Sequence, residues 1–171
     1  MKDKALSYRR LFARFVTGVA VVLTEQGGQV QGLTVNSLTS ASLEPLLLLF
    51  CVSRNSRTGN TILRTGRFTV NILNADQEDA ARHFASRKDT QADFEYGRDQ
   101  SFVWLAHSNA VFHCRLEVSY PGGDHRIIIG RVEEMSGPDE CKHLLVYHEG
   151  HYVNLESKAI PESGMRQDFH D

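Results

Sequence analysis

The chain predicts a mostly β domain, an antiparallel barrel with helical decoration, on three observations. About six to eight apolar, β-branched runs recur along it, most of them separated by glycine-bearing hairpin turns. Only two or three segments show helical spacing. Strands and helices do not alternate as a doubly wound sheet requires, and neither GxGxxG nor GxxxxGK[ST] occurs.

The elements follow in order. Ala5, Tyr8, Phe12 and Phe15 recur at helical spacing with Arg9, Arg10 and Arg14 between them, an amphipathic helix that Thr17 and Gly18 end. "GVAVVLT" (18–24), "EQGGQ" and "VQGLTV" (30–35) read as run, glycine turn and run, a hairpin. "GLTVNSLTSAS" (32–42) opens as a strand but from Ser37 onward becomes a crowd of small hydroxyl residues. Pro45 keeps Glu44 out of the α region and introduces "LLLLFCV" (46–52), whose lack of alternation predicts a central strand buried on both faces.

"SRNSRTGNTILRTG" (53–66) offers Ser and Asn caps for a short helix that Gly66 closes, and "RFTVNIL" (67–73) returns to strand pattern. Asp76 and Asp79 resemble a capping arrangement for a second helix through "QEDAARHFA" (77–85). Residues 86–103 are polar and aperiodic, which predicts a long loop or broken helix. "AVFHCRLEVSY" (110–120), "PGGD" and "RIIIGRVEEM" (126–135) form another hairpin, and "LLVYH", "EG" and "HYVNL" a third. Residues 1–155 are expected as one domain and 156–171 as a polar tail.

Composition narrows the partners. With 171 residues, 41% of them hydrophobic and 23% charged, and a net charge of −2, nothing favours nucleic acid or an anionic membrane. Cys51, Cys114 and Cys141 are odd in number and widely spaced, which suits a reducing compartment. "MKDKALSYRR" has no apolar signal region and "LLLLFCV" is too short to span a bilayer, so a cytoplasmic protein is expected.

Three polar stretches carry candidate chemistry. Thr34, Asn36, Ser37, Thr39, Ser40 and Ser42 offer hydroxyls, an amide and backbone N–H groups to the edge of a planar polar ligand, or else form a turn satisfied by itself and water. "SRNSRT" (53–58) sets Arg54 and Arg57 beside Ser53, Ser56 and Thr58 at a helix start, which fits a phosphate site or equally a capped helix with solvated arginines. Because both stretches flank one strand, they are expected at the same rim. His125 follows two glycines, where backbone can approach a ligand closely.

Other chemistry has little support. His143, His148 and His151 lack a recognised ligand spacing, and no metal is expected. There is no GxSxG, and Cys51 and Cys114 lie in apolar strand patterns that suit inert buried thiols. Redox or transfer chemistry would therefore fall to an organic cofactor.

"RFVTGVAVVLT", "GLTVNSLTSASLEPLLLLFCV", "SRT", "GRFTVNIL", "CRLEV", "GDHRIIIGRV" and "LLVYHEGHYVNL" occur in an order that resembles the flavin reductase family over residues 8–155. The resemblance implies an FMN-binding split barrel with Greek-key-like antiparallel strands, usually a homodimer. It implies an NAD(P)H-dependent reductase of FMN, with FAD as an alternative, serving a flavin-dependent monooxygenase. On that footing Thr34, Asn36, Ser40 and Ser42 surround the isoalloxazine and Ser53, Arg54, Ser56 and Thr58 face the ribityl phosphate. Phe84 and Arg87 flank the cofactor, and His125 faces the nicotinamide of NADH or NADPH.

The chain departs from the family pattern at Val16, at the single proline of "LEPLLL" and at "WLAHSNAVFHC" (104–114), the last expected near the cofactor pocket. Two alternatives stay open. One is a specialised flavoenzyme acting on a particular metabolite, the other a non-catalytic flavin- or haem-binding barrel with His125 or His113 as contacts.

Overall fold

The computed structural model describes residues 2–86, 93–140 and 143–155. Its hairpins turn where positive φ is cheap. Strand β1 (Thr17–Gly18) is followed by β2 (Ala20–Gln26) and β3 (Gln29–Val35), joined by Gly27 and Gly28 at φ 60° and 78°, the left-handed pair whose twist matches the flanking strands. The hydroxyl-rich stretch breaks β3 after Val35 and then starts a separate strand. β4 (Thr39–Leu43) pairs with β5 (Leu46–Ser53) across Glu44 and Pro45, with a register shift between Ser40 and Ser42.

Helix α1 (Lys2–Phe12) precedes these strands, and α2 (Arg57–Thr65) follows them. The Ser56 side chain accepts the Gly59 N–H of α2, and Gly66 at φ 69° returns its N–H to the Ile62 carbonyl. β6 (Arg67–Ile72) leads into a short 3₁₀ turn (Ala75–Gln77) and α3 (Glu78–Ala85). Here the cap differs from expectation. Asn74 accepts from the Asp76 N–H and Gln77 reaches back to the Asn74 N–H, so Asp76 lies inside the first turn. The Asn74 amide also donates to the His107 carbonyl at 2.7 Å, which a carboxylate could not do.

The region expected as a loop contains a small hairpin, β7 (Tyr96–Arg98) with β8 (Val103–Leu105). β9 (Ala110–Gly122) and β10 (His125–Ser136) turn at Gly123 and Asp124, which leaves Pro121 and Gly122 within the strand. β11 (Leu144–His148) and β12 (His151–Leu155) turn at Glu149 and Gly150, φ 48° and 85°.

Seven strands form one antiparallel sheet in the order β3-β2-β6-β9-β10-β5-β4, with β1-β11-β12 and β7-β8 as smaller sheets. The large sheet curls around Phe50, Val52, Phe68, Val70, Ile128 and, from α2, Ile62. Among the described residues its ladder does not close. Side chains stitch the gap between β3 and the β5–α2 end instead, so the barrel is split.

The strand buried on both faces is β2, not β5. Val19 to Leu23 are all at most 3% exposed, with the barrel interior on one side and α3, β8 and β11 on the other. β5 lies next to the sheet's end and alternates, with Leu48, Phe50 and Val52 buried and Leu47, Leu49 and Cys51 half-buried on the outer face. Ile127, Ile129, Val118 and the exposed Tyr120 continue that face on β10 and β9, so β5 lacks polar alternation because its outer side adjoins an apolar surface of the same chain.

Candidate functional site

The split in the barrel positions the polar stretches. Past the end of β3, the Ser37 hydroxyl accepts the Cys51 N–H at 3.0 Å and donates to the Cys51 carbonyl at 3.4 Å, standing in for a ladder bond between β3 and β5. From α2 the buried Thr58 hydroxyl donates to the Gly32 carbonyl at 3.0 Å. Ser37 and Thr58 therefore tie the two sides of the split together, β3 on one side and the β5–α2 loop on the other, and this seam in the sheet is the groove.

The Thr34 hydroxyl donates to the Ala81 carbonyl of α3 at 2.7 Å, so it faces α3 and keeps only its lone pairs for a ligand. Phe84, half-buried on the same helix, lies against Gly32, with the Phe94 ring centre 5.7 Å away. The exposed Asn36 lines a cleft of about 530 Å³ with Ser37, Thr39 and the aromatic residues Phe12 and Phe15.

Ser40 and Ser42 stand apart from the second polar stretch. They pair with Leu48 and Leu47, so Ser40 is five residues from Ser53 along β5, about 17 Å at the usual strand rise. Ser40 and Ser42 thus lie along β5 away from Ser53, because the β4–β5 hairpin folds them back beside the strand, whereas Ser37 meets β5 two residues before Ser53.

Ser53 and His125 are cross-strand partners at the tips of β5 and β10. The exposed His125 shares a hydrogen bond of 2.8 Å between its Nδ1 and the Asp124 carboxylate, and this bond holds the Asp124 carboxyl below the usual range. Arg54 is gripped through its backbone. Its N–H donates to the Asp124 carbonyl at 3.1 Å, and its carbonyl accepts from Arg126 Nη1 at 3.2 Å. The same Nη1 reaches Asn60 Oδ1 at 2.9 Å. The Arg54 guanidinium itself is exposed and has no partner among the described residues.

Ser56 is committed to the Gly59 cap, and the Thr58 N–H is a first-turn donor that no side chain among the described residues meets. Arg87 lies outside the described residues. The structure thus gathers Ser53, Arg54, Ser56, Thr58 and His125 at one end of the groove, and Asn36 and Ser37 along it.

Sequence reasoning missed Asn60 and Arg126. The available signal was a charged residue in "HRIII" at an inward-facing strand position. The departing segment 104–114 is not beside this groove. Its Trp104 ring stacks near His113, and the Ala106 and His107 carbonyls receive Gln77 and Asn74. Cys114 is fully buried, which with nearby Glu133 pushes its thiol up to about 12, whereas Cys51 is only half-buried and faces outward. Among the described residues no group of three His, Cys, Asp or Glu side chains is arranged to hold a metal ion.

Comparison with known proteins bears on this geometry. The family described as flavin reductase like domain matches residues 12–156. The reductase component of 4-hydroxyphenylacetate 3-monooxygenase from Thermus thermophilus is 36% identical over 145 residues, covering 85% of this chain and 93% of that protein. The NADH-dependent FMN reductase AsuE2 of Streptomyces nodosus subsp. asukaensis is 35% identical over 160 residues, covering 87% and 84%. Among solved structures, the Streptomyces globisporus NADH:FAD oxidoreductase SgcE6 with NAD and FAD fragments superposes with a TM-score of 0.84 at 31% identity, covering 93% of this chain and 97% of that one.

Proposed function

The chain belongs to the flavin reductase like domain family, and on that premise we propose that it is the NAD(P)H:flavin oxidoreductase of a two-component system, supplying reduced FMN or FAD to a monooxygenase. The observation that carries this reading is the end of the groove. Arg54, whose guanidinium has no partner among the described residues, lies in the loop just before α2, where among the described residues the Thr58 N–H has no side-chain acceptor, and His125 sits on the neighbouring strand. Such a donor set fits a dianionic phosphate.

Each chain group has a part. Arg54, Ser53 and the α2 start hold the flavin phosphate, with Ser56 keeping its cap and Thr58 tying α2 to β3. Asn36, the Ser37 backbone, the lone pairs of Thr34 and, further along β5, Ser40 and Ser42 meet the edge of the ring. Phe84 flanks it, and His125, oriented by Asp124, faces the nicotinamide. Bound flavin supplies the acceptor for a hydride from NADH or NADPH. The protein contributes alignment and water exclusion, and no side chain is required as an acid.

A homodimer completes the proposal. The outer face of β5, β10 and β9 is apolar, and the aromatic side chains Tyr8, Phe12 and Phe15 are exposed at 66%, 59% and 67%, the kind of surface that marks an interaction site. A second copy would cover it. No helix among the described residues is long and apolar enough to cross a membrane, and a cytoplasmic location is in keeping with the unpaired thiols of Cys51 and Cys114.

The test is an anaerobic assay of purified protein with NADH or NADPH and excess FMN, FAD or riboflavin. Loss of both nicotinamide and flavin absorbance is expected. No turnover with either nicotinamide would reject the activity. In the same assay His125→Ala should raise the KM for the nicotinamide more than the Kd for flavin, and equal damage to both would remove His125 from its assigned place.

A further inference from the structure

We propose that Arg126 and Asn60 form a bracket that fixes the 53–56 loop in its phosphate-gripping shape, so that Arg126 is the positioning residue behind the chain's preference for phosphorylated flavins. The inference rests on the phosphate reading above and adds residues to it.

The loop has few bonds of its own. Ser56 N–H returns to the Ser53 carbonyl at 2.9 Å, and the remaining restraint on Arg54 comes from another part of the chain. Asp124 holds its N–H and Arg126 holds its carbonyl, one residue to each side of His125. With both backbone groups of Arg54 fixed, its side chain leaves the loop in a set direction. Asn60 then limits Arg126. By accepting from the same Nη1 at 2.9 Å, it ties the guanidinium to the first turns of α2, whose N-terminal donors form the other half of the site.

Arg126 is half-buried and occupies an inward-facing position beside Val52, where an aliphatic residue would be the ordinary choice. Burying part of a guanidinium there is unfavourable unless it is hydrogen-bonded, and the two acceptors it finds belong to the loop and the helix. A planar, multi-donor head suits this double task, which one ammonium group would meet less well. The bracket also links the two ends of the reaction site, because the residue before Arg126 is His125.

The test compares Kd values for FMN and riboflavin in the wild-type protein and in R126Q, R126K and N60A, by quenching of flavin fluorescence, with circular dichroism to show that each variant is folded. R126Q is expected to weaken FMN about tenfold while leaving riboflavin within about twofold, the scale of one lost charge-assisted contact. N60A should shift FMN in the same direction by less, and adding N60A to R126Q should change nothing further. R126K should recover only part of the loss. Equal weakening of FMN and riboflavin in R126Q, or an undiminished preference for FMN, would overturn the bracket alone. A wild-type protein that binds FMN and riboflavin alike would overturn the phosphate reading and the bracket with it.

Discussion

Replacing Gly32 with alanine tests how the fold supports the groove. A Cβ at this position would stand 2.5 Å and 2.7 Å from Phe84 Cδ1 and Cε1 and 2.6 Å from Leu23 Cδ2. Carbon atoms pack at about 3.5–4.0 Å, so roughly an ångström of movement must come from the ring, from Leu23 or from β3. Leu23 is fully buried and cannot withdraw into solvent. Overpacking of this kind costs about 1–3 kcal/mol, and a chain of this length loses about 2–4 °C of Tm per kcal/mol. A fall of roughly 2–12 °C is expected by thermal denaturation. The Gly32 carbonyl also receives Thr58, so any displacement of β3 reaches α2, and the FMN Kd should rise as well. Phe84→Leu removes most of the obstruction, and the double variant should recover at least about 1 kcal/mol relative to additivity. A Gly32→Ala protein that melts within a degree of wild type, or a strictly additive double variant, would show that the Phe84 ring does not sit on Gly32.

Two further outcomes concern the β7–β8 hairpin. The Asp99 carboxylate accepts the Ser101 and Phe102 N–H groups at 2.6 and 2.7 Å, the Ser101 bond being the main reason its pKa is lowered from 3.8, with His113 adding a smaller effect in the same direction. A depressed carboxyl stabilises above its ordinary range and loses that contribution as pH falls through the depressed value. Asp99→Ala should therefore lower Tm at pH 7, and the gap from wild type should narrow below pH 3.8; a gap that widens in acid would contradict this. His113 is buried between the Phe102 and Trp104 rings, both at 4.9 Å, and its Nδ1 has no hydrogen bond, the Asp99 and Glu134 carboxylates standing at 3.7 and 3.9 Å. An unmet buried nitrogen costs about 1–3 kcal/mol, so His113→Phe should raise Tm by a few degrees, and a drop would contradict this.

Much of the architecture was determined locally and could be read from the residues. The Gly27–Gly28 and Glu149–Gly150 turns, the Ser56 and Gly66 caps and the hairpins they delimit depend on φ, ψ and hydrogen bonds within a few positions. The polar residues that form the groove were legible for the same reason, since hydroxyls beside a helix start have a chemistry independent of fold. Tertiary structure alone decided the rest. The three-residue strand β8, with β7 paired to it, is held because Thr69 and Asn71 bond the Val103 and Leu105 backbone from 34 residues away, a separation at which no sequence window holds a signal. Whether β2 or β5 would be buried on both faces depended on which strand α3 came to cover, since the two apolar runs look alike. The Arg54 loop takes its shape from Arg126, 72 residues distant, because two backbone groups left unpaired by their own segment must be satisfied by whatever the fold brings beside them.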